Sequence, residues 1–189
     1  MKTADVIIVG SGASGLFNAL FLPQDYKVIV ITKKEVEESD SFLAQGGISA
    51  LKNPEDYDSY FEDTMKAGHY ENDKGAVEKM IKESPQIIQD LKDFGVRFDL
   101  KDGEIEFTRE GGHSTFRILH HEDLTGKEIT SHLYEEAKKR DNITIMENCM
   151  MIDIIEKDGE CKGIVYKDQD GNLDTIEAPD TVLATGGLG

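Results

Sequence analysis

The chain has 189 residues, of which 38% are hydrophobic and 31% are charged, a composition typical of a globular protein rather than a disordered one. Its 38 acidic residues outnumber the 21 Lys and Arg residues, and the formal net charge of -17 excludes nucleic acids and anionic lipid surfaces as partners. Two cysteines are too few for a disulfide framework or a zinc site, and no apolar run reaches the ~20 residues of a transmembrane helix. Because the start of the sequence carries no targeting segment, we expect a cytoplasmic protein.

The first predicted elements form a compact βαβ unit. The β-branched run Val6–Val9 is typical of a strand buried on both faces of a parallel sheet, and Val28–Ile31 predicts a second such strand. Between them, apolar residues at helical spacing predict a helix that begins near Ala13 and is ended by Pro23. The length of this unit is that of the dinucleotide-binding fold.

Two amphipathic helices are predicted next, after a stretch over residues 33–54 that we expect to be irregular. They cover about residues 54–67 and 74–94, and Gly95 ends the second one. Pro85 is expected to kink or split the second helix, because proline lacks an amide hydrogen. The apolar stripes expected on the two helices are Tyr57, Tyr60, Phe61 and Met65, and Val77, Ile81, Ile88 and Leu91.

Strands dominate the rest of the predicted chain. In order, the sequence predicts short strands over residues 96–121, a helix over about 126–140, and strands at 143–146, 151–155, 163–166, 174–178 and 181–184. Asp-Gly turns between the strands near 151–178 predict an antiparallel meander. The expected fold class is therefore α/β, a Rossmann-like domain with a parallel central sheet and a small antiparallel three-stranded meander.

A glycine motif joins the first strand to the first helix. Its residues are Gly10, Ser11, Gly12, Ala13, Ser14 and Gly15. The first glycine permits a tight turn, the second lets the backbone approach a pyrophosphate at the positive end of the helix, and the third lets helix and strand pack closely. An ordinary glycine-rich turn is the alternative, but the strand before the motif and the helix after it provide the context that dinucleotide binding requires.

The end of the second strand lacks the acidic residue that often holds the ribose hydroxyls of a dinucleotide. Thr32 offers only a neutral hydroxyl there. Lys33 either contacts phosphate or ribose or is an ordinary solvated lysine. This departure argues against a typical NAD site.

Four motifs in matching order carry a resemblance to a known family. They are the glycine motif and the segments Ser41–Gly47, Thr108–Ser114 and Ala184–Gly187. In these motifs, and along the whole chain, the sequence resembles the L-aspartate oxidases and the flavoprotein subunits of succinate dehydrogenase and fumarate reductase. The resemblance implies FAD, extended across the sheet, with Ala44–Gly47 packed near the flavin ring.

The resemblance also implies how FAD is held. Succinate dehydrogenase-like subunits commonly carry a histidine, covalently bonded to FAD, five residues before the glutamine that corresponds to Gln45. That position here is Asp40, so non-covalent FAD is expected. No metal is expected. The implied cofactor-binding residues are Gly10, Ser11, Gly12, Ala13, Ser14, Gly15, Lys33, Ser41, Phe42, Leu43, Ala44, Gln45, Gly46, Gly47, Thr185 and Gly186.

Glu110 is the first candidate catalytic residue. By resemblance it lies beside the substrate and helps to select an amino acid over a plain dicarboxylate. A carboxylate pairs with a substrate ammonium group and repels a dianion that lacks one. From its residue type alone, Glu110 is more simply an exposed acid paired with Arg109.

Three histidines in the same region are more simply packing or hydrogen-bonding groups than acid–base catalysts. His113 is the second candidate catalytic residue, because it lies within the motif Thr108–Ser114. His120 and His121 are adjacent, so in a strand they would point to opposite faces. Ser114 has no adjacent base in the sequence that would activate it as a nucleophile.

The activity that the resemblance implies is the oxidation of L-aspartate to iminoaspartate by an FAD-dependent oxidase, with oxygen or fumarate as electron acceptor, for NAD synthesis through quinolinate. Quinolinate synthase is a candidate downstream partner. Because the chain stops directly after a predicted strand, residues 1–189 are expected to be an FAD-binding fragment, inactive without the family's capping and helical domains. A succinate dehydrogenase or fumarate reductase flavoprotein and a non-catalytic nucleotide-binding module are the alternatives.

Overall fold

The computed structural model of the protein describes residues 2–187. Its contacts divide the chain into two compact units. The sheet unit comprises the chain up to Ala44 and again from Ile129 onward, and the insert unit comprises Gln45–Glu128. The sequence predicts a single FAD-binding domain over residues 1–189 and neither of these unit boundaries.

The helices and strands follow the predicted order. They are β1 (Lys2–Thr3), β2 (Val6–Val9), α1 (Ala13–Phe21), β3 (Val28–Ile31), α2 (Asp40–Leu43), β4 (Ile48–Ser49), α3 (Tyr57–Ala67), α4 (Lys74–Asp93), β5 (Leu100–Lys101), β6 (Glu104–Ile105), β7 (Phe107–Thr108), β8 (Ile118–Leu119), α5 (Thr125–Lys138), β9 (Ile143–Met146), β10 (Met150–Lys157), β11 (Glu160–Lys167), β12 (Leu173–Glu177) and β13 (Asp180–Leu183). Single 3-10 turns precede α2 and α3. The stretch expected to be irregular therefore contains α2 and β4.

A four-stranded parallel sheet forms the centre of the sheet unit, in the order β13-β2-β3-β9. All residues of β2 and β3 are buried, which confirms that these β-branched runs are covered on both faces. The meander β10-β11-β12 is antiparallel as predicted. It gains a fourth strand that the sequence analysis missed, because β1 pairs in parallel with β12 through only two residues.

The two faces of the parallel sheet are covered by different elements. Alternate residues of β2 and β3, such as Ile7 and Ile29, pack with buried meander residues, such as Ile164 and Ile176. On the other side, α1 buries Leu16, Ala19 and Leu20, and its Gly15 approaches Ile8 of the sheet. Because complete burial of an aliphatic side chain stabilises by about 1.5–3 kcal/mol, this core stabilises the packing of α1 on the sheet.

Helices α3 and α4 form the core of the insert unit, where Tyr60, Met65, Val77 and Ile81 are buried together. The predicted apolar stripes on both helices are therefore confirmed. Of the two expected effects of Pro85, a split is wrong, because helix α4 is continuous through it. Pro85 cannot donate to the carbonyl of Ile81, and the hydroxyl of Ser84 donates to it instead at 2.7 Å.

No helix within residues 2–187 is both long enough and apolar enough to cross a membrane.

Candidate cofactor and catalytic sites

A cavity of about 640 Å³ lies in the sheet unit, where β2, β3 and β13 end. Its lining includes Gly10, Ser11, Gly12 and Ser14 of the glycine motif, and Thr185 and Gly186 beyond β13. In open parallel sheets, ligands bind beyond the carboxyl ends of the strands, where the strand order reverses. The position of this cavity therefore follows from the topology, since β2 lies between β3 and β13.

Two glycines of the motif have no room for a side chain. Gly10 has a φ of +114°, and an added Cβ would lie 2.2 Å from the carbonyl oxygen of Ala184. At Gly15, an added Cβ would lie 1.9 Å from the carbonyl oxygen of Gly10. Since backbone atoms cannot yield as flexible side chains do, both positions require glycine, and the turn between β2 and α1 depends on them.

The start of α1 presents polar groups to the cavity. Gly12 precedes the helix, and no side chain within residues 2–187 caps the first amides of α1. The hydroxyl oxygen of Ser11 is buried and has no hydrogen-bond partner within residues 2–187. Buried polar groups are normally paired, so an unpaired hydroxyl beside free amides at a helix N-terminus fits a bound anion such as a pyrophosphate. The residues present therefore fit the diphosphate of FAD.

The loop after β3 forms another wall of this cavity. Thr32 and Lys33 line it, and Lys33 is exposed there, while Lys34 forms an ion pair with Glu38 at 2.8 Å. The loop is anchored at Val36, whose amide donates to Glu147 at 2.8 Å. Thr32 and Lys33 therefore occupy the place where an acidic residue commonly bonds the ribose hydroxyls.

The segment Ser41–Gly47 does not enter this cavity as a whole. Ser41 and Asp40 line it, and the hydroxyl of Ser39 caps α2 by accepting from the amide of Phe42. Phe42 is half-buried, whereas Leu43 and Ala44 are exposed. Ala44 is the last residue of this part of the sheet unit, and the rest of the motif belongs to the insert unit.

The segment around Cys149 is a cavity wall that the sequence analysis missed. Cys149, Met150 and Met151 line the cavity, and burial raises the pKa of the Cys149 thiol. Both cysteines are free, as expected from their number. Most of the chain separates this segment from the glycine motif in sequence, and the parallel pairing of β9 with β3 brings it to the cavity.

A second cavity, of about 410 Å³, lies within the insert unit, and four of its eight lining residues are acidic. Asp99, Glu110, Glu122 and Asp123 contribute carboxyl groups, and Gln45, Gly47, Thr108 and His120 complete the lining. Within residues 2–187, no group of three or more His, Cys, Asp or Glu side chains is arranged to hold a metal ion. The cavity therefore offers a negative environment to an organic cation.

Glu110 is bonded to the glycine pair of the segment Ser41–Gly47. Its carboxylate accepts the amide hydrogen of Gly47 at 3.1 Å, and an added Cβ at Gly46 would lie 3.4 Å from the same carboxylate. The simpler expectation, a surface pair with Arg109, is wrong, because the guanidinium of Arg109 lies over the ring of Phe116 instead. Glu110 remains exposed, and no side-chain hydrogen bond within the described residues 2–187 occupies its other oxygen, which can therefore bind a ligand.

His120 and His121 do not point to opposite faces of a strand, as the sequence suggested. Strand β8 ends at Leu119, and the Nδ1 atoms of both histidines lie near the carboxylate of Asp99, at 3.1 and 3.2 Å. Because the strand ends directly before this pair, the alternation of side chains along a strand does not apply to the two histidines. Both imidazoles therefore lie within ion-pair distance of one carboxylate, and Nδ1 of His121 makes no hydrogen bond within residues 2–187.

A buried arginine organises the segment around His113. Arg117 is fully buried, and its guanidinium bonds the carboxylates of Asp56 and Asp63 at 2.6–2.9 Å. It also lies 3.0 Å from Nδ1 of His113 and over the ring of Tyr60. The sequence analysis did not single out Arg117, because its two acidic partners lie more than 50 positions away in the chain.

Both acidic partners of Arg117 are held in the charged form. Hydrogen bonding to Arg117 lowers the pKa of Asp56 to about 2. Burial pushes the pKa of Asp63 upward, but hydrogen bonds from Ser114 and Arg117 outweigh burial and lower it. The amide and hydroxyl of Ser114 both donate to Asp63, at 2.7 and 2.8 Å. A carboxylate partner thus exists for Ser114, although the sequence did not reveal it.

Comparisons with known proteins support one family. The FAD binding domain family matches residues 5–189. The chain is 43% identical over 188 residues to an L-aspartate oxidase of Clostridium perfringens and 36% identical over 192 residues to that of Bacillus subtilis. The matches include 100% of this chain, but only 43% and 36% of the two oxidases, so the chain spans less than half the length of these relatives.

Solved structures show the same fold. A quinol fumarate reductase of E. coli superposes with a TM-score of 0.93 at 28% identity, covering 100% of this chain and 34% of that chain. The Sdh1 complex of Mycobacterium smegmatis in the apo form gives a TM-score of 0.89 at 31% identity, covering 100% of this chain and 35% of that chain. The parallel sheet with its meander is therefore the fold of these flavoproteins.

Proposed function

The chain belongs to the FAD binding domain family, and from this premise we propose that it is the FAD-binding part of an L-aspartate oxidase. The whole enzyme would oxidise L-aspartate to iminoaspartate, with oxygen or fumarate as the electron acceptor. The similarity to L-aspartate oxidases over 100% of the chain supports this activity. Bound FAD would supply the hydride acceptor, and the protein would hold and orient the substrate.

The cavity of the sheet unit is the proposed cofactor site. The amides at the start of α1 and the unpaired hydroxyl of Ser11 would hold the diphosphate of FAD. Lys33 would approach a phosphate or the ribose from the opposite wall. Asp40 is exposed at this cavity, and its carboxylate cannot form the histidine link to a flavin, which supports non-covalent binding.

The observation that carries the choice of substrate is the acidic cavity around Glu110. Four carboxyl groups line it, and Glu110 keeps one oxygen available beyond its bond to the amide of Gly47. Such a cavity attracts the ammonium group of an amino acid and repels a dicarboxylate that lacks one. Aspartate is therefore favoured over succinate. Cations that neutralise the substrate carboxylates would come from parts of the enzyme that this chain does not include.

Flavin reduction without oxygen tests this choice in the full-length, FAD-loaded protein. L-Aspartate should bleach the flavin absorbance, and succinate should do so at least ~10-fold more slowly, the minimum expected for a lost charge-assisted contact. Glu110→Gln should raise the KM for aspartate by a similar factor. Glu104→Gln, at an exposed site of the same unit outside the cavity, should leave it unchanged. Equal reduction by both substrates would contradict the proposal.

A succinate dehydrogenase or fumarate reductase activity is the second candidate, and it is supported by the TM-score of 0.93 with a quinol fumarate reductase. Faster flavin reduction by succinate than by aspartate would establish it. Under the main proposal, the isolated residues 1–189 have no oxidase activity. We further propose that the enzyme acts in the cytoplasm and that quinolinate synthase consumes its product for NAD synthesis.

A further inference from the structure

We propose that Arg117 is a positioning residue that fixes the ring of His113 as a hydrogen-bond donor to a carboxylate of the substrate. The inference rests on the proposed function, which supplies the dicarboxylate substrate. His113 lies in the same turn as Glu110, and its amide donates to the carbonyl oxygen of Glu110 at 3.2 Å. The basis of the inference is the set of hydrogen bonds that the buried guanidinium of Arg117 makes within the insert unit.

All five N–H donors of Arg117 have an acceptor. The Nε atom donates to Asp56 at 2.9 Å, and Nη2 donates to Asp56 and to the hydroxyl oxygen of Ser59, at 2.8 and 2.7 Å. The Nη1 atom donates to the carboxylate of Asp63 at 2.6 Å and lies 3.0 Å from Nδ1 of His113. Since the two carboxylates and Ser59 accept four donors, the fifth one is directed at the imidazole.

The contact with Arg117 determines the tautomer of His113. A guanidinium can only donate hydrogen bonds, so Nδ1 of His113 must accept. The ring proton then resides on Nε2, which has no protein partner within residues 2–187. His113 is half-buried, and the ring of Tyr60 packs edge-on against it with centroids 6.2 Å apart. The imidazole is therefore oriented from two sides and offers one N–H.

The backbone beside His113 is held by the same cluster. Asp63 accepts from Arg117 and also from the amide and hydroxyl of Ser114, so the arginine and the serine share one carboxylate. The hydroxyl of Thr115 donates to Asp56 at 2.8 Å. Residues 113–117 are thus fixed to the start and middle of α3 and to the turn before it, and a shift of Arg117 would move His113.

This arrangement has a chemical consequence for substrate binding. An N–H donor at a fixed position binds a carboxylate oxygen, whereas the other tautomer would present a lone pair and repel it. Preorganised donors lose little orientation on binding. Arg117 thereby acts on the substrate through His113 and does not itself contact it, since all its donors are used within the protein.

The tautomer is measured directly by ¹⁵N NMR of histidine-labelled, FAD-loaded full-length protein, with His113→Gln to assign the signals. We expect a protonated Nε2 and an unprotonated Nδ1 for His113 in the wild type. A protonated Nδ1, or rapid exchange between both tautomers, would overturn the inference. This measurement needs no arginine variant and no turnover, so it remains decisive even if variants of Arg117 fail to fold.

A double-mutant cycle tests the functional consequence through flavin reduction by L-aspartate without oxygen. Arg117→Lys should lower kcat/KM by ~10-fold or more, and by less than ~3-fold when His113→Ala is already present, because the two changes remove one interaction. Arg97→Lys is the matched control, since Arg97 pairs with Glu128 at an exposed site. Equal losses from Arg117→Lys in both backgrounds would show a merely structural role and overturn the inference.

The two proposals fail in distinguishable ways. If aspartate does not reduce the wild-type flavin, the proposed function is wrong whatever the NMR signals show. If aspartate reduces the wild-type flavin but His113 has the other tautomer, or the cycle is additive, only the role of Arg117 is wrong.

Discussion

The sites in the two units of the molecule depend on different kinds of chemical group. In the sheet unit, the cavity depends on backbone: two glycines without room for a Cβ, the amides of α1 and one unpaired hydroxyl. In the insert unit, the arrangement depends on side-chain charge: Arg117 with Asp56 and Asp63, and Glu110 with the amide of Gly47. A backbone site is encoded locally in the sequence, whereas a site of paired charges exists only after the chain has folded.

This difference predicts how each unit responds to mutation. Backbone geometry tolerates a change of charge but not an added methyl group. A buried ion-pair cluster tolerates small changes in volume but not the loss of one charge, because the remaining charges stay buried and unpaired.

Loss of the buried arginine should have the largest effect on stability. Arg117→Ala leaves Asp56 and Asp63 without their cation, and we expect the free energy of unfolding to fall by about 3–5 kcal/mol. Arg97→Ala removes an ion pair of an arginine whose side chain is 72% exposed, and we expect the free energy of unfolding to fall by only about 0–1 kcal/mol. Urea denaturation of both variants measures the difference. Similar losses would mean that burial of the cluster does not matter.

An added methyl group in the glycine motif should mainly affect cofactor binding. Gly15→Ala places a Cβ 1.9 Å from the carbonyl oxygen of Gly10, so α1 must move away from β2. We expect FAD affinity to fall by ~100-fold or more, equivalent to about 3 kcal/mol. Gly111→Ala is the control, because nothing lies within 4 Å of its added Cβ. Titration of FAD by flavin fluorescence checks both variants, and an unchanged affinity in Gly15→Ala would contradict the geometry.

Acid should weaken the insert unit through Asp56. Its pKa in the folded chain is about 2, below the ordinary value of 3.8, so folding favours the carboxylate form. The resulting stabilisation, about 2 kcal/mol, is fully present above pH ~4 and is lost as the pH falls toward 2. Stability measured between pH 5 and 2 should therefore fall less steeply in Asp56→Asn than in the wild type. Parallel curves would show that Asp56 contributes nothing to acid sensitivity.

The smallest predicted effect is on FAD affinity, and it distinguishes a hydroxyl that binds the cofactor, that of Ser11, from one that is buried elsewhere, that of Thr181. Ser11→Ala removes a buried hydroxyl that lines the cavity, and we expect FAD affinity to fall by ~5-fold with no loss of stability in the absence of FAD. Thr181→Val removes a hydroxyl that is also buried and unpaired but lies in β13 away from the cavity lining. It should leave FAD affinity unchanged. Equal affinities for Ser11→Ala and wild type would remove Ser11 from the cofactor site.

The sequence predicted the sheet unit well because its information is local. Hydrophobic runs identified β2, β3 and β9, and the spacing of glycines between strand and helix identified the turn that lines the cavity. The two-residue strand β1 was missed, because a strand of that length has no periodicity. Cys149 was missed as a cavity wall because its position depends on the pairing of β9 with β3.

The sequence predicted the insert unit's helices but not its charge pairs. The apolar stripes of α3 and α4 were correct, since a helical period is visible over a dozen residues. The sequence did not predict that the helix continues through Pro85. The hydroxyl of Ser84 donates to the carbonyl of Ile81, which proline cannot do. The partners of Glu110 and Arg117 depend on which loops meet, and residue type alone favoured the wrong partner for Glu110.

A crystal structure of the full-length protein with FAD tests the central claim most directly. The account predicts non-covalent FAD in the cavity of the sheet unit, with its diphosphate within hydrogen-bond distance of the amides at the start of α1 and of the Ser11 hydroxyl. FAD bound elsewhere, or a diphosphate that leaves the hydroxyl of Ser11 and those amides unpaired, would contradict it.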